Sequence, residues 1–346
     1  MKILRIASII PGINTVKDIQ RILRFQEEVH NMRFVYDEVN PDYVLVSNHI
    51  YVKQGLFRKL RHYMSKRCIL LYFSGECATP DLNMFDYAIA FDRNLQCGDR
   101  IARLSTIRFY SISLFPEYIN MKVDKSILDN KTKFCNFMYS HTYKTRDELF
   151  FALNKYKKVE SIGKHLNNTG AKNTRHNVDW RRLSIEDRFP YKFSIAAENA
   201  SFPGYVSEKL LSCLEAHTIP IYWGDPSVGD EFNTKAFINC HDYNSFEEVV
   251  ERVKEIDNDD VLFESILKEP WQTDEQKKRT EELDQQYDEW ILHIFSQSKE
   301  SAFRRPVGTH VDLYHRWFFK RFKRTIIQYI KDIGIKILYA MKIRHS

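Results

Sequence analysis

The sequence predicts two α/β domains facing an interdomain cleft, each on a mostly parallel sheet, with a basic amphipathic helical tail behind them. Three observations lead there. Short apolar runs alternate with amphipathic stretches twice over, as in sheets joined by crossover helices. The 346 residues suit two domains at roughly 100–200 residues apiece. Basic residues gather at the C-terminal end rather than along the whole chain.

The elements follow in order. "ILRIASIIP" reads as a first core strand: the run is too short for a signal peptide and has no convincing cleavage site. Residues 16–29 have the periodicity of an amphipathic helix, and 43–48, 68–76 and 86–92 are apolar runs of buried parallel strands. The Lys/Asp-rich stretch "MKVDKSILDNKTK" places a boundary near residue 125. Beyond it, 133–140 is a strand and 145–156 a helix capped by Thr145 or a neighbour. Residues 191–199 form a strand. A helix over 206–217 has Val206, Leu210, Cys213, Leu214 and His217 on one side, and 219–224 is the next strand. The expected limits are 1–125, 126–303 and, for the tail, 304–346. This plan fits a GT-B-like or a periplasmic-binding-protein-like architecture.

Composition narrows the function. Hydrophobic residues are 43% and charged residues 28%, as in soluble globular proteins. The high aromatic content, 14%, suits thick cores or a sugar-binding cleft. Six cysteines without a C-x-x-C pair argue against a zinc site and for buried thiols in a reducing cytoplasm. No stretch approaches the roughly 18 apolar residues of a membrane span. Of the net charge of +6, residues 304–346 carry +9, which leaves −3 for the body. A nucleic-acid footprint is therefore absent outside the tail.

The densest chemistry is "ENASFPGYVSEKL", where a strand, a loop and a helix meet. In open α/β sheets, ligands bind beyond the carboxyl ends of the strands. Asn199 sits at such an end. Glu208 and Lys209 fall in the first helical turn, where free N–H groups and the helix dipole favour a phosphate. Gly204 permits a tight turn, and Tyr205 adds a ring and a hydroxyl. Taken singly, Glu208 is a good helix-start residue and Lys209 a solvated cation; it is their grouping that points to a site.

The segment "YKFSIAAENASFPGYVSEKLLSCLEAHTIPIYWGDPSVGDEFNTKAFINCHDY" resembles the donor-binding core of the α-1,3/1,4-fucosyltransferases, family ten of the glycosyltransferases. "LYFSGECATPDLNMFDYAIAFD" resembles the acceptor-domain signature of bacterial members, and "VESIGKHLNN" the family's G-x-x-L-N-N segment. The resemblance implies a GT-B-like fold and transfer of fucose from GDP-fucose. It makes Glu76 the general base and Arg146 the clamp on the donor pyrophosphate. Asn199, Tyr205, Glu208 and Lys209 form the donor site, with Gly163 and Asn167 beside it. Lys209 would contact phosphate and Glu208 would lie near the ribose or fucose. Departures are Ala197 before E-N, Cys77 after G-E, and Ala216, His217 and Thr218 in the turn before I-P; none removes a charged group.

The chemistry implied is an inverting displacement, with no covalent nucleophile and a carboxylate near the oxocarbenium-like centre. Two fixed cations can neutralise the departing diphosphate. No D-x-D dyad lies between strands, and "DNDD" at Asp257 reads as a solvated acidic stretch. No cofactor or metal is therefore expected. The acceptor expected is a lactosamine-type oligosaccharide or lipopolysaccharide. A related transferase with another nucleotide sugar, or a sugar-binding protein without turnover, are the competing readings. In the tail, Phe318, Phe322, Ile326 and Ile330 share a helix face, with Arg316, Lys320, Lys323 and Arg324 largely elsewhere. That pattern suits a helix lying on an anionic lipid surface at the cytoplasmic face of the inner membrane, or one packed on the domains.

Overall fold

The computed structural model describes residues 1–26, 30–51, 53–111, 114–119, 121–170 and 179–321. The first sheet has six parallel strands, β1 (Lys2–Ser8), β2 (Met32–Tyr36), β3 (Tyr43–Ser47), β4 (Ile69–Phe73), β5 (Tyr87–Ile89) and β6 (Ile101–Ala102), in the order β2-β1-β3-β4-β5-β6. The second has five parallel strands, β7 (Lys133–Phe137), β8 (Val159–Ser161), β9 (Tyr191–Ala197), β10 (Ile219–Trp223) and β11 (Ile238–Asn239), in the order β11-β10-β9-β7-β8. Each sheet reverses direction of growth once, between β1 and β3 and between β7 and β9. A crevice opens beyond the strand ends at such a point.

The central strands are apolar on both faces because helices cover both. Val44 and Val46 of β3 pack with Leu60 and Tyr63, while Leu45 packs with Ile19 and Leu23 on the other side. Helix Asp274–Ser296 leaves the second half and returns to the first: Tyr287, Ile291, Ile294 and Phe295 are buried in the core under β1 and β3. Tyr287 donates to the Leu23 carbonyl at 2.7 Å, and Lys2 Nζ donates to the carbonyls of Phe295 and Gln297 at 2.7 and 2.6 Å. Residues before 303 thus complete the core of the N-terminal sheet.

The sequence pattern missed several elements. β2 alternates buried Met32 and Phe34 with exposed Arg33 and Val35, as an edge strand does, so it has no continuous apolar run. β6 and β8 have two and three residues, too few for any period. The first helix is Val16–Leu23, stopped by Arg24 in a left-handed conformation; residues 27–29 lie outside the described residues. Thr145 is not a cap. Helix Lys144–Tyr156 begins after Tyr143, and Thr142 instead donates to Asp147 at 2.6 Å. The helix expected over 206–217 is Glu208–Glu215, because Ser207 caps it and Val206 is still extended chain. It is buried nearly all round rather than on one side, since it is covered from the first domain by Ile107, Tyr110 and Leu114.

Helix Thr309–Arg321 begins the tail and packs on the first domain. Phe318 stacks on Phe57 at 5.9 Å and meets Tyr51 edge-on, Tyr314 donates to Asp81, and His315 Nε2 is 3.0 Å from the Asn83 carbonyl. Phe318 is therefore a packing residue of the first domain and not part of a lipid-facing stripe. Phe322, Lys323, Arg324, Ile326 and Ile330 lie outside the described residues.

Candidate active site

The two sheets direct their carboxyl ends at one another. From the first, β4 ends in Ser74-Gly75-Glu76. The Glu76 N–H donates to the Ser74 hydroxyl at 3.1 Å, which sets the loop, and the Glu76 side chain is exposed in the cleft. From the second, β9 ends in Glu198 and Asn199. Asn199 Nδ2 donates to the Glu76 carboxylate at 3.1 Å, so one hydrogen bond joins the ends of β4 and β9 across the cleft. The Asn199 carbonyl oxygen is buried with no partner among the described residues, which leaves an acceptor for a ligand donor.

Arg146 lies in the first turn of helix Lys144–Tyr156 and is 4% exposed. Its Nε donates to the Ala197 carbonyl at 2.9 Å, and its guanidinium lies 4.3 Å from the Tyr139 ring centroid and 4.5 Å from that of Tyr143. Tyr139 is itself fixed: its hydroxyl accepts from the Ala197 N–H at 2.7 Å and donates to the Ile195 carbonyl at 2.9 Å. Burial pushes the Tyr139 phenol up to about 12, with Arg146 working against it. Planarity and fixed charge make arginine the residue for this stacked position. No atom among the described residues accepts from its two terminal nitrogens, which remain for an anion.

Lys209 occupies a more crowded place than the sequence indicates. Its ammonium donates to Glu198 at 3.0 Å and to Ser207 Oγ at 2.9 Å, and the Glu208 carboxylate is 3.7 Å away. Glu198 is fully buried and accepts also from the Ser207 N–H at 2.8 Å and its hydroxyl at 2.7 Å. Burial lowers the affinity of Lys209 for its proton, but the carboxylates of Glu198 and Glu208 outweigh it and hold the ammonium well above the ordinary lysine range. Burial raises Glu208, yet Lys209 and Arg181 more than offset this and bring its carboxyl below the usual value. Glu208 is thus an anion at the start of helix Glu208–Glu215, where the dipole favours it.

Tyr205 is 2% exposed, and its ring meets Phe91 edge-on at 5.2 Å, so it braces the loop. Gly163 lies under Tyr139: a Cβ there would be 2.3 Å from the Tyr139 carbonyl oxygen and 2.5 Å from its nitrogen. Asn167 donates to the Gly163 carbonyl at 2.8 Å and accepts from the N–H groups of Thr169 and Gly170, which engages both ends of its amide in its own loop. Gly163 and Asn167 therefore shape the wall behind Tyr139 and Arg146.

A cleft of about 390 Å³ opens at the β7/β9 reversal, lined by Tyr139, Lys164, Trp180, Arg188, Glu208 and Lys209 among others. Three cations, Lys164, Arg188 and Lys209, meet two carboxylates there, Glu208 and the Glu198 behind Lys209, and the surplus positive charge suits a phosphate group. Arg188 is 4% exposed, donates to the Ser184 carbonyl at 2.5 Å, and has an Nε without a partner among the described residues. Sequence reasoning missed Glu198, Lys164, Trp180 and Arg188. Glu198 stood next to Asn199 in the same motif, and a carboxylate ending an apolar strand was the available signal. Lys164 stood beside Gly163 in "VESIGKHLNN", while Trp180 and Arg188 have no local pattern and meet the site only in space. Among the described residues no group of three or more His, Cys, Asp or Glu is placed to hold a metal ion.

The halves are clamped. Arg93 bonds Asp225 at 3.0 Å and Ser227 at 3.1 Å, and Arg103 bonds Glu231 at 2.5 Å. Gly204, at φ +87°, passes so close to the Phe91 carbonyl that a Cβ would lie 2.2 Å from it.

Comparison with known proteins agrees with this geometry. Residues 128–302 match the model of glycosyltransferase family 10 (fucosyltransferase), C-terminal region, and residues 12–110 match the α-(1,3)-fucosyltransferase FucT N-terminal domain. Protein R654 of Acanthamoeba polyphaga mimivirus is 38% identical over 241 residues, 68% of this chain and 38% of that protein. The α-(1,3)-fucosyltransferase FucT of Helicobacter pylori is 28% identical over 250 residues, 62% of this chain and 50% of that protein. The chain thus spans half or less of the length of these relatives. A solved α1,3-fucosyltransferase superposes with a TM-score of 0.69 at 22% identity, over 89% of this chain and 93% of that one, which bears out the GT-B-like fold.

Proposed function

Because the chain belongs to glycosyltransferase family 10, the fucosyltransferases, we propose that it transfers L-fucose from GDP-β-L-fucose, with inversion, to a GlcNAc or Glc hydroxyl of an oligosaccharide or lipopolysaccharide, as an α-1,3 or α-1,4 linkage. The observation that supports this most directly is the 3.1 Å contact between Glu76 and Asn199, which joins an exposed carboxylate after β4 to the segment that runs from β9 to Glu208 and Lys209 in the cationic cleft. Residues 1–125 present the acceptor and 126–303 hold the donor, except that helix Asp274–Ser296 packs in the core of the first sheet. Glu76 removes the proton of the attacking hydroxyl. Arg146 and Lys209 take up the charge of the departing diphosphate, and Asn199 offers its free carbonyl to a donor hydroxyl. Glu208, ionised at neutral pH, stabilises positive charge developing on the sugar. Fixed cations on the diphosphate make a metal unnecessary.

Glu76→Gln is the test. Turnover of GDP-fucose with a lactosamine acceptor should fall roughly 10²–10⁴-fold, the range for loss of a general base, with GDP-fucose affinity nearly unchanged. Turnover near that of the parent protein would remove Glu76 from the mechanism, and turnover with GDP-mannose instead would change the donor. The location proposed is the cytoplasmic face of an anionic membrane, reached through the basic tail; no helix among the described residues is long and apolar enough to cross one.

A further inference from the structure

Two helices line the cleft: Trp180–Glu186, which brings Trp180 and Ser184 to it, and Glu208–Glu215, which brings Glu208, Lys209 and Ser212. Arg181 ties them together. It is 3% exposed, and its guanidinium donates from Nη1 to the Ser212 hydroxyl and from Nη2 to Glu215 at 2.6 Å. Ser212 in turn donates to the Glu208 carbonyl at 2.6 Å, so the bonds from Arg181 run to the first residue of the donor-side helix. Glu215 is fully buried, and its other oxygen accepts from the Phe115 N–H at 2.8 Å. Phe115 belongs to the stretch by which the chain crosses from β6 to β7. That stretch is also fastened at or just past the ends of the same two helices: the Tyr118 hydroxyl donates to Glu186 at 3.0 Å, and His217 Nε2 is 2.9 Å from the Tyr118 carbonyl.

Packing alone does not account for this pair. A buried arginine–carboxylate pair is often no more stabilising than apolar side chains of the same volume. The Arg181 Nε is also buried with no acceptor among the described residues, a cost that an apolar side chain would not carry. What the pair supplies is direction and charge. Burial raises the Glu208 carboxyl, and Arg181 is, after Lys209, the second cation that brings it down. Arg181 is not in the lining of the cleft, so it works through Ser212 and Glu208. We propose that Arg181 is a positioning residue of the transfer, anchored through Glu215 to the crossover stretch and fixing Glu208 at the donor. This rests on the role given above to Glu208, and extends it to a residue that never meets the substrate.

Arg181→Met/Glu215→Gln tests it. Both charges go at nearly constant size, so neither is left buried without a counter-charge, and the carboxamide still accepts from the Phe115 N–H. Turnover of GDP-fucose is measured in this double variant, in Glu208→Gln and in the triple variant, with GDP affinity by calorimetry. In the double variant kcat should fall roughly tenfold or more, while the KM for GDP-fucose and the GDP affinity stay within about threefold. Lys209 keeps its own anchors in Glu198 and Ser207, which protects the latter two. The triple variant should be no slower than Glu208→Gln, since Arg181 acts through Glu208. Losses that multiply in the triple variant, GDP affinity that falls as far as kcat, or a parent-like kcat in the folded double variant overturns the proposal and leaves the role of Glu208 standing. A parent protein that does not turn over GDP-fucose, or a parent-like Glu208→Gln, refutes the reading beneath the proposal and the proposal with it. Where the thermal midpoint shows the double variant unfolded, Arg181→Lys takes its place. It keeps a charge beside Glu215 but not the planar fork that spans Ser212 and Glu215, so kcat should fall again, and not on a Glu208→Gln background.

Discussion

Replacing Glu198 by Gln removes one charge from the centre of the donor side and little else. The carboxamide keeps the size of the side chain and still accepts from the Ser207 N–H, now at 2.8 Å. Lys209 loses a partner at 3.0 Å and retains Glu208 at 3.7 Å. Breaking a buried ion pair from one side destabilises by about 3–5 kcal/mol. Lys209 is 20% exposed and keeps a second carboxylate, which reduces the expected loss to about 2–3 kcal/mol. Urea unfolding of Glu198→Gln, Lys209→Met and the double variant measures it. The double variant should be more stable than the sum of the single losses implies, by about 1–3 kcal/mol, since a contacting pair is coupled on that scale. Strict additivity, or a Glu198→Gln midpoint equal to that of the parent, would show that Glu198 does not hold Lys209.

Further predictions follow from the same geometry. Lys131 is buried, donates to the Ala216 carbonyl at 2.8 Å, and is lowered by burial to about 7 from 10.5. Its folded pKa lies below its unfolded one, so its burial penalty is full below pH 7 and shrinks as pH rises towards 10.5; the stability of the parent relative to Lys131→Met should climb by up to about 1.4 kcal/mol per pH unit in that window, and a flat difference refutes it. Gly163→Ala should cost about 1–3 kcal/mol by overpacking against Tyr139 and weaken GDP binding in calorimetry, because Tyr139 carries Arg146. Arg146→Lys should lose GDP affinity nearly as fully as Arg146→Ala, since a point charge replaces a stacked fork; rescue by Lys would contradict the clamp. Turnover should survive EDTA, and activity restored only by Mn²⁺ would falsify the role given to the two cations.

Legibility in the sequence tracked the range of the interaction that fixes each element. The central strands β3, β4, β9 and β10 are buried along nearly their whole length and announce themselves as runs, whereas β2 and β8 depend on a neighbouring strand for their place. The site was readable where the chain is locally dense, in Asn199, Glu208 and Lys209. Glu76 and Arg146, 70 residues apart, came from resemblance, because nothing in periodicity brings the end of β4 to the end of β9. Tyr205 and Asn167 came from the same resemblance; in the fold the Tyr205 ring packs on Phe91 and the Asn167 amide is bonded within its own loop. Arg188 and Trp180 carry no motif, and only the fold places them on the cleft.

The return of helix Asp274–Ser296 has a consequence for the order in which the molecule is made. Lys2 is synthesised well before its partner, and its ammonium waits for the carbonyl of Phe295, 293 residues later. Until then the face of β1 and β3 that will meet Tyr287, Ile291, Ile294 and Phe295 is an uncovered apolar surface. Closing a chain of that length costs roughly (3/2)RT ln n, about 5 kcal/mol, repaid only when the last helix docks. A nascent chain halted near residue 270 therefore has a finished second sheet and an open first one. Limited proteolysis of such a halted chain should cut within 1–120 and spare 133–267, so the half synthesised first is the half that folds last.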